Sequence, residues 1–278
     1  MRDNQTLDAM LGTMASQEAG DVPPDFMNGV WQRAGQLGEI ADQRTDGVAQ
    51  RVQRRSHRLI RSHRPPRRIS RMGIPTKKLH AALDMLAAIE PGIAEAIMVT
   101  GYPDERISQR GYATLLRTIV GQQVSVAAAA SVWKKLEAQL GAGCPPEQLL
   151  AQNFDSLRAC GLSRQKQGYA RSLAELVISG ALPLDALPDD DEEAIAYLTQ
   201  VKGIGRWSAE IYLLFAEGRT DIWPAGDLAV QEGVGRLLKL DVRPSEKEIR
   251  VIAERWRPHR GAAAIFTWHI YAKGFQAI

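Results

Sequence analysis

Cysteine is scarce in this chain of 278 residues, which contains only Cys144 and Cys160. Two cysteines cannot build a disulfide framework, and no CxxC pair or Cys/His cluster has the spacing of a zinc or iron–sulfur site. We therefore expect two reduced structural thiols, no metal-ligating cluster and no cofactor.

Long apolar runs are also missing, since none approaches the roughly 18 to 20 residues that cross a bilayer. The first residues, MRDNQTLDAMLG, lack the basic and apolar sections of a secretion signal. These absences argue against a membrane partner and predict a cytoplasmic location.

A general excess of one charge is absent from the main body of the chain. Residues 1–71 hold 12 basic and 8 acidic residues, which leaves 23 basic and 24 acidic residues to residues 72–278. Any nucleic-acid site in the main body must therefore be a local patch.

The first quarter of the chain has the composition of a disordered extension. Residues 1–50 are polar without a sustained period, and residues 51–71 carry nine arginines around Pro65 and Pro66. This composition predicts that residues 1–75 are an Arg-rich disordered tail. Three interpretations stay open: an arm that binds nucleic acid, a solvated tail, or an upstream stretch translated ahead of a true start at Met72.

From residue 76 onwards the apolar residues recur at helical spacing, and few stretches alternate with period two. One helix is predicted between Ser163 as its cap and Gly180 at its end, and another after the capping-box pair Ser245 and Glu248. The pattern predicts an all-α fold, with further helices at about residues 78–89, 108–120, 125–140, 192–200, 206–217, 227–238 and 260–273.

The sequence VKGIGRW predicts a tight turn between two helices. Gly203 and Gly205 permit positive φ angles and a close approach of the backbone to another molecule. The amides at the start of the following helix, together with Lys202 and Arg206, would form an anion site that fits a nucleic-acid phosphate, while Ile204 would reach the core. A helix–turn–helix without a ligand is the alternative.

With two further motifs, DIWPAGDLAVQ and LLRTIVGQQVSVAAA, this hairpin resembles the helix-hairpin-helix/GPD superfamily of DNA base-excision glycosylases, and most closely its alkylpurine (3-methyladenine type) members. The resemblance covers residues 76–278. It implies one two-lobed helical domain with its active site in the cleft between the lobes. It also implies a monomer of bacterial type, at the nucleoid, whose partner is damaged double-stranded DNA.

The resemblance assigns the catalytic carboxylate to Asp227. Cleavage of an N-glycosidic bond develops positive charge on the deoxyribose, which an ionised aspartate stabilises while it orients or deprotonates the attacking water. An aspartate at a helix start is also an ordinary N-cap, and the two roles are compatible.

The residue after Gly-Ile-Gly-Arg is a lysine in the bifunctional members of the family, where it attacks the sugar. Here it is Trp207, which predicts a monofunctional enzyme that leaves an abasic site. The resemblance implies that Trp207 and Trp268 hold a cationic base against their rings. His269 and Ile211 stand at pocket positions where the subgroup has aromatic residues. Both tryptophans are alternatively core residues.

The polar loop GQQVS matches the family position that fills the gap left by a flipped base. Gln123 is the expected wedge, beside Gln122, although a turn capped by Ser125 is the alternative. Arg164 and Lys166 are expected to contact phosphates, or else to belong to a solvated face. The resemblance further suggests a monovalent cation on the hairpin carbonyls.

The sequence thus predicts release of alkylated purines such as 3-methyladenine and 7-methylguanine. Two other functions stay open. One is a glycosylase for an oxidised or deaminated base, and the other is a DNA-binding module without chemistry, which would not need Asp227.

Overall fold

The computed structural model describes residues 73–276. The predicted Arg-rich extension therefore lies outside the described residues, except for its last three. Among these, Ile74 is only 3% exposed and packs into the hydrophobic core. The folded part of the chain accordingly begins before the expected boundary at residue 76, because an apolar side chain is buried there.

The described residues form α-helices joined by short connections, and no strand occurs among them. This confirms the all-α prediction. None of the helices in residues 73–276 has the length and apolar character needed to span a membrane. The elements are α1 (Thr76–Ile89), α2 (Pro91–Thr100), α3 (Tyr112–Gly121), α4 (Val126–Leu140), α5 (Pro146–Ala151), α6 (Phe154–Ala159), α7 (Arg164–Ile178), α8 (Asp191–Leu198), α9 (Arg206–Phe215), α10 (Leu228–Leu237), α11 (Glu246–Ile252), a 3-10 helix (Ala253–Trp256) and α12 (Arg260–Ala272).

The predicted helix caps are present. The Ser163 side chain accepts a hydrogen bond from the third backbone amide of α7, and Gly180 adopts a φ of 73° just beyond its end. Ser245 and Glu248 form a complete capping box at the start of α11. These local signals position helix ends because they satisfy backbone groups that the helix itself leaves unpaired.

Three α-helices were not predicted, and the sequence of each explains why it was missed. The segment PGIAEAIMVT of α2 is apolar on most of its surface, so it shows little one-sided periodicity. Helices α5 and α6 have six residues each, which is less than two turns. A pattern that repeats every 3.6 residues cannot be recognised over so short a segment.

The principal helix packings fall into two groups. In one group α1 packs against α2 and α12, while α10 packs against α12, α2 and α11. In the other group α7 packs against α3, α5 and α6, and α3 packs against α4. Helices α8 and α9 pair with each other and carry the hairpin between them. These groups are the two lobes of the predicted fold.

Helices α10 and α12 approach closely at Gly233. A Cβ atom built on Gly233 would lie 2.6 Å from the Thr267 Cβ and 2.9 Å from the Thr267 carbonyl oxygen. A side chain at this position would push the helices apart. The glycine therefore lets the start of α10 lie within hydrogen-bonding distance of α12.

Candidate active site

The hairpin, defined here as residues 199–205, lies against α7. Gly203 has a φ of 81°, and a Cβ there would lie 2.2 Å from the Tyr169 ring, so both backbone conformation and space require glycine. The Lys202 amide donates to the Ser172 hydroxyl at 3.2 Å, and Ile204 is 4% exposed, inside the core as predicted. Contacts with α7 and with the core therefore fix the conformation of the turn.

The amino-terminal end of α9 is uncapped by any side chain. Gly205 is the N-cap residue, and α9 begins at Arg206 with no side chain accepting from its first amides. Lys202 and Gly205 are exposed beside it. Exposed amides, the positive end of a helix dipole and a lysine form the arrangement that binds anionic groups such as phosphate.

Arg206 differs from the expectation that it supplies free positive charge. Its Nη1 and Nη2 atoms donate to the two Glu192 carboxylate oxygens at 2.8 and 2.5 Å, and its Nε donates to Glu210 at 2.8 Å. Hydrogen bonding to Glu192 is the main reason that the pKa of Arg206 is raised. The side chain of Glu210 is only 3% exposed and needs a cationic partner. The charge of Arg206 is therefore balanced inside the protein.

Asp227 is the N-cap of α10, as the alternative interpretation held. Its Oδ1 accepts from the Ala229 and Val230 amides at 2.9 and 3.0 Å. The same oxygen accepts from Trp268 Nε1 at 3.1 Å, while Oδ2 accepts from Trp207 Nε1 at 2.9 Å. Four N–H donors thus surround a carboxylate that is 8% exposed, which suits the stabilisation of negative charge in a partly buried site.

The two tryptophans differ in their exposure. Trp268 is 1% exposed and packs against Phe215, with ring centroids 5.7 Å apart. It therefore does not form an open wall for a base, contrary to expectation, because α12 is buried against α10 at this point. Trp207 is half-buried and packs against the edge of the core, so part of its indole stays accessible beside Asp227.

The other two expected pocket residues, Ile211 and His269, make contacts within the protein. Ile211 is 1% exposed and belongs to the core. His269 Nε2 lies 3.1 Å from the Thr100 carbonyl oxygen, and its ring stacks on Phe266 with centroids 6.0 Å apart. Burial lowers the pKa of His269. These contacts direct His269 towards the end of α2, and no contact with Asp227 is formed.

The residues of the GQQVS loop and of α7 that were expected to contact DNA fall into two groups, one bonded within the protein and one exposed. Gln122 Nε2 donates to the Gly203 carbonyl at 2.7 Å, and Lys166 Nζ donates to the Val120 carbonyl at 2.8 Å. Burial lowers the pKa of this lysine. Gln123 and Arg164 are exposed instead. The head groups of Gln122 and Lys166 therefore serve internal bonds, whereas Gln123 and Arg164 face solvent.

No group of three His, Cys, Asp or Glu side chains within residues 73–276 is arranged to hold a metal ion. For the expected monovalent cation, two hairpin carbonyls already accept hydrogen bonds, Val201 O from the Ile204 amide and Gly203 O from Gln122. Because a carbonyl oxygen has a second lone pair, these hydrogen bonds do not decide whether the oxygens bind a cation, and the monovalent cation stays a prediction.

Sequence reasoning missed several residues that shape the site. Tyr169 and Ser172 lie within the helix predicted after Ser163, but their support of the hairpin was not predicted. Gln231 is buried and donates to the Ala225 carbonyl at 2.9 Å, which fixes the loop before Asp227. A polar residue on the apolar face of a helix needs a buried hydrogen-bond partner. This signal could have identified Glu210 and Gln231 as residues that shape the site.

Comparison with known proteins agrees with these motifs. Residues 116–258 match the family described as HhH-GPD superfamily base excision DNA repair protein. The chain is 35% identical over 161 residues to DNA-3-methyladenine glycosylase 1 of Schizosaccharomyces pombe, covering 56% of this chain and 71% of that protein.

Solved structures give the same result. An S. pombe 3-methyladenine DNA glycosylase in complex with abasic DNA superposes with a TM-score of 0.57 at 31% identity, covering 68% of this chain and 95% of that one. A DNA-3-methyladenine glycosidase from Bacillus halodurans gives a TM-score of 0.62 at 28% identity, covering 68% and 88% of the two chains.

Proposed function

The chain belongs to the HhH-GPD superfamily of base excision DNA repair proteins, and we propose that it is a monofunctional glycosylase that releases alkylated purines from double-stranded DNA. Its relatives in S. pombe and B. halodurans carry the name of 3-methyladenine glycosylases or glycosidases. The observation that carries the proposal is the Asp227 carboxylate at the amino-terminal end of α10, which accepts hydrogen bonds from the indole N–H groups of Trp207 and Trp268.

Asp227 is proposed to stabilise the sugar as the base departs. Its Oδ1 already accepts three hydrogen bonds, whereas Oδ2 accepts one, from Trp207. Oδ2, with a single donor, is the less engaged of the two oxygens and is therefore the one proposed to face the reacting centre. Positive charge on the deoxyribose is then opposed by this oxygen, which also orients the water that adds to the anomeric carbon.

Alkylation at N3 or N7 makes a purine cationic, so the base leaves with the electron pair of the glycosidic bond as a neutral molecule. The water that adds to the anomeric carbon passes one proton to the Asp227 carboxylate, which returns it to solvent, and an abasic sugar remains. A strong general acid is not needed for this departure.

Trp207 is proposed as the ring that selects the cationic base. Its indole is half-buried next to Asp227, and a desolvated cation over an indole face gains about 2 kcal/mol or more. Trp268 is assigned a different role, as a donor that holds Asp227 in place. With one accessible ring, selection depends on the positive charge of the base more than on its shape.

The proposed enzyme lacks an amine nucleophile at the position next to Arg206. Residue 207 is a tryptophan, and the exposed Lys202 lies on the other side of the turn. No Schiff base with the sugar is therefore expected, and the strand stays intact after base release.

The remaining DNA contacts are proposed for side chains that are exposed to solvent. Lys202 and the first amides of α9 are proposed to bind a phosphate, Gln123 to fill the gap left by the flipped nucleotide, and Arg164 to contact a neighbouring phosphate. We propose that the protein acts as a monomer in the cytoplasm.

The test uses duplex DNA treated with a methylating agent. The protein is expected to release free 3-methyladenine and 7-methylguanine, separated by chromatography, and the strands are expected to break only after alkali is added. Strand cleavage without alkali would contradict the monofunctional mechanism. Release of oxidised or deaminated bases from matched duplexes at a higher rate would instead assign the enzyme to another lesion.

A further inference from the structure

A direct hydrogen bond joins the glutamine loop, residues 121–124, to the hairpin, residues 199–205. Gln122 Nε2 donates to the Gly203 carbonyl at 2.7 Å, across 81 positions of sequence. In the proposed function these two segments have different tasks, because the hairpin binds a phosphate and the loop carries Gln123 into the base stack. The contact therefore connects two DNA-binding elements.

Helix α7 supports both segments from one side. Its Lys166 Nζ donates to the Val120 carbonyl at the end of α3, which is where the glutamine loop begins. About one turn further on, the Tyr169 ring lies beneath Gly203, and after nearly two turns the Ser172 hydroxyl accepts from the Lys202 amide. Helix α7 therefore holds both the loop and the hairpin, and the hydrogen bond of Gln122 connects the two segments directly.

The geometry of Gln122 matches a positioning role. It is partly buried, follows directly on α3 and has φ −59° and ψ 134°, which ends the helix. The next residue, Gln123, is exposed and has a φ of 54°, a conformation that few non-glycine residues adopt. A residue in this region keeps its conformation when its surroundings hold it in place. The bond from Gln122 provides such support one residue away.

We propose that Gln122 is a positioning residue which keeps the Gln123 side chain at a fixed distance from the phosphate-binding hairpin. Binding of a phosphate at the hairpin then aligns Gln123 with the base stack, so that a nucleotide is displaced without a separate ordering of the loop. This inference rests on the proposed base-flipping function. It also replaces the expectation that Gln122 binds DNA through its own head group.

The test replaces Gln122 by methionine, which has similar length and no N–H donor. The probe is a duplex with a tetrahydrofuran abasic analogue next to 2-aminopurine, whose fluorescence rises when the neighbouring stack is opened. We expect Gln122→Met to reduce the fluorescence rise at saturating protein by about 3- to 10-fold, the range for loss of one hydrogen bond. Affinity for undamaged duplex and the melting temperature should stay close to the wild-type values.

Two comparisons define the outcome. Gln123→Ala removes the wedge itself and should abolish the fluorescence rise, which sets the lower limit of the assay. Gln122→Asn keeps an amide but is one methylene too short to reach the Gly203 carbonyl, so it should resemble Gln122→Met. If Gln122→Met lowers the melting temperature, Gln122→Asn takes its place in every comparison.

The inference is overturned if both Gln122 variants open the stack as the wild type does. It is also overturned if they lose affinity for undamaged duplex in the same proportion as they lose the fluorescence rise, because that result indicates a direct DNA contact. The assay needs no base release, so its result is separate from that of the proposed function. A wild-type protein that opens the stack but releases no methylated base would contradict only the latter.

Discussion

Replacing Trp268 by phenylalanine tests whether a buried tryptophan acts through Asp227. The substitution removes the N–H group that donates to Asp227 Oδ1 at 3.1 Å and leaves a six-membered ring against Phe215. A hydrogen bond to a charged group contributes about 1.5 to 3 kcal/mol. If that amount is lost in the transition state, the rate of base release falls about 10- to 150-fold.

The control for the loss of an indole is Trp256→Phe. Trp256 is fully buried, and its Nε1 has no hydrogen-bond partner among the described residues. Both substitutions remove similar volume from the core, and each is expected to lower stability by about 1 to 3 kcal/mol. Only Trp268→Phe removes a donor from the carboxylate.

The assay is single-turnover release of 7-methylguanine, with the folded fraction of each variant measured by thermal denaturation. Trp268→Phe should be slow at temperatures where it is fully folded, whereas Trp256→Phe should match the wild type. Equal rates for Trp268→Phe and the wild type would refute the positioning role of this indole. Equal slowing of both variants would assign the effect to packing.

Three further predictions follow from the same geometry. Gly203→Ala strains a residue at φ 81° and places a methyl group against the Tyr169 ring. It should therefore lower the melting temperature and weaken duplex binding at least about 10-fold. The control Gly205→Ala has φ −86° and open space for a methyl group, so its melting temperature should match that of the wild type. Burial raises the pKa of Glu210 to about 7 from an ordinary value near 4.5, so the folded state binds this proton more tightly than the unfolded state. The free energy of unfolding should therefore decline by about 3 kcal/mol at most as the pH rises from 4.5 to 7. Calorimetry should show no such decline for Glu210→Gln. Trp207→Leu should slow single-turnover release of cationic 7-methylguanine about 30-fold, and an unchanged rate would contradict the role of its ring.

Local sequence signals predicted much of the fold and the centre of the site. The caps Ser163 and Ser245, the tight turn at Gly203 and the position of Asp227 at a helix start all depend on residues within a few positions of one another. Such features are readable because each one satisfies backbone groups of its own segment. The placement of Asp227 close to Trp207 and Trp268 agrees with the resemblance.

The partners of individual side chains could not be predicted in the same way. Arg206 was expected at a phosphate, but Glu192, fourteen positions earlier, pairs with it. Trp268 was expected to face a base, but the close approach of α10 and α12 at Gly233 buries it. Both outcomes depend on how distant helices pack, which a single sequence shows only through composition and spacing.

The central claim is that the Asp227 carboxylate promotes base release, and Asp227→Asn tests it most directly. Asparagine keeps the shape of the side chain and caps helices as well as aspartate does, so the fold should persist. Single-turnover release of 7-methylguanine should fall at least about 100-fold, while affinity for a duplex with a tetrahydrofuran abasic analogue stays within a few fold of the wild type. Asp241→Asn, at an exposed position, serves as the matched control. A variant Asp227→Asn that releases the base at the wild-type rate would contradict the account.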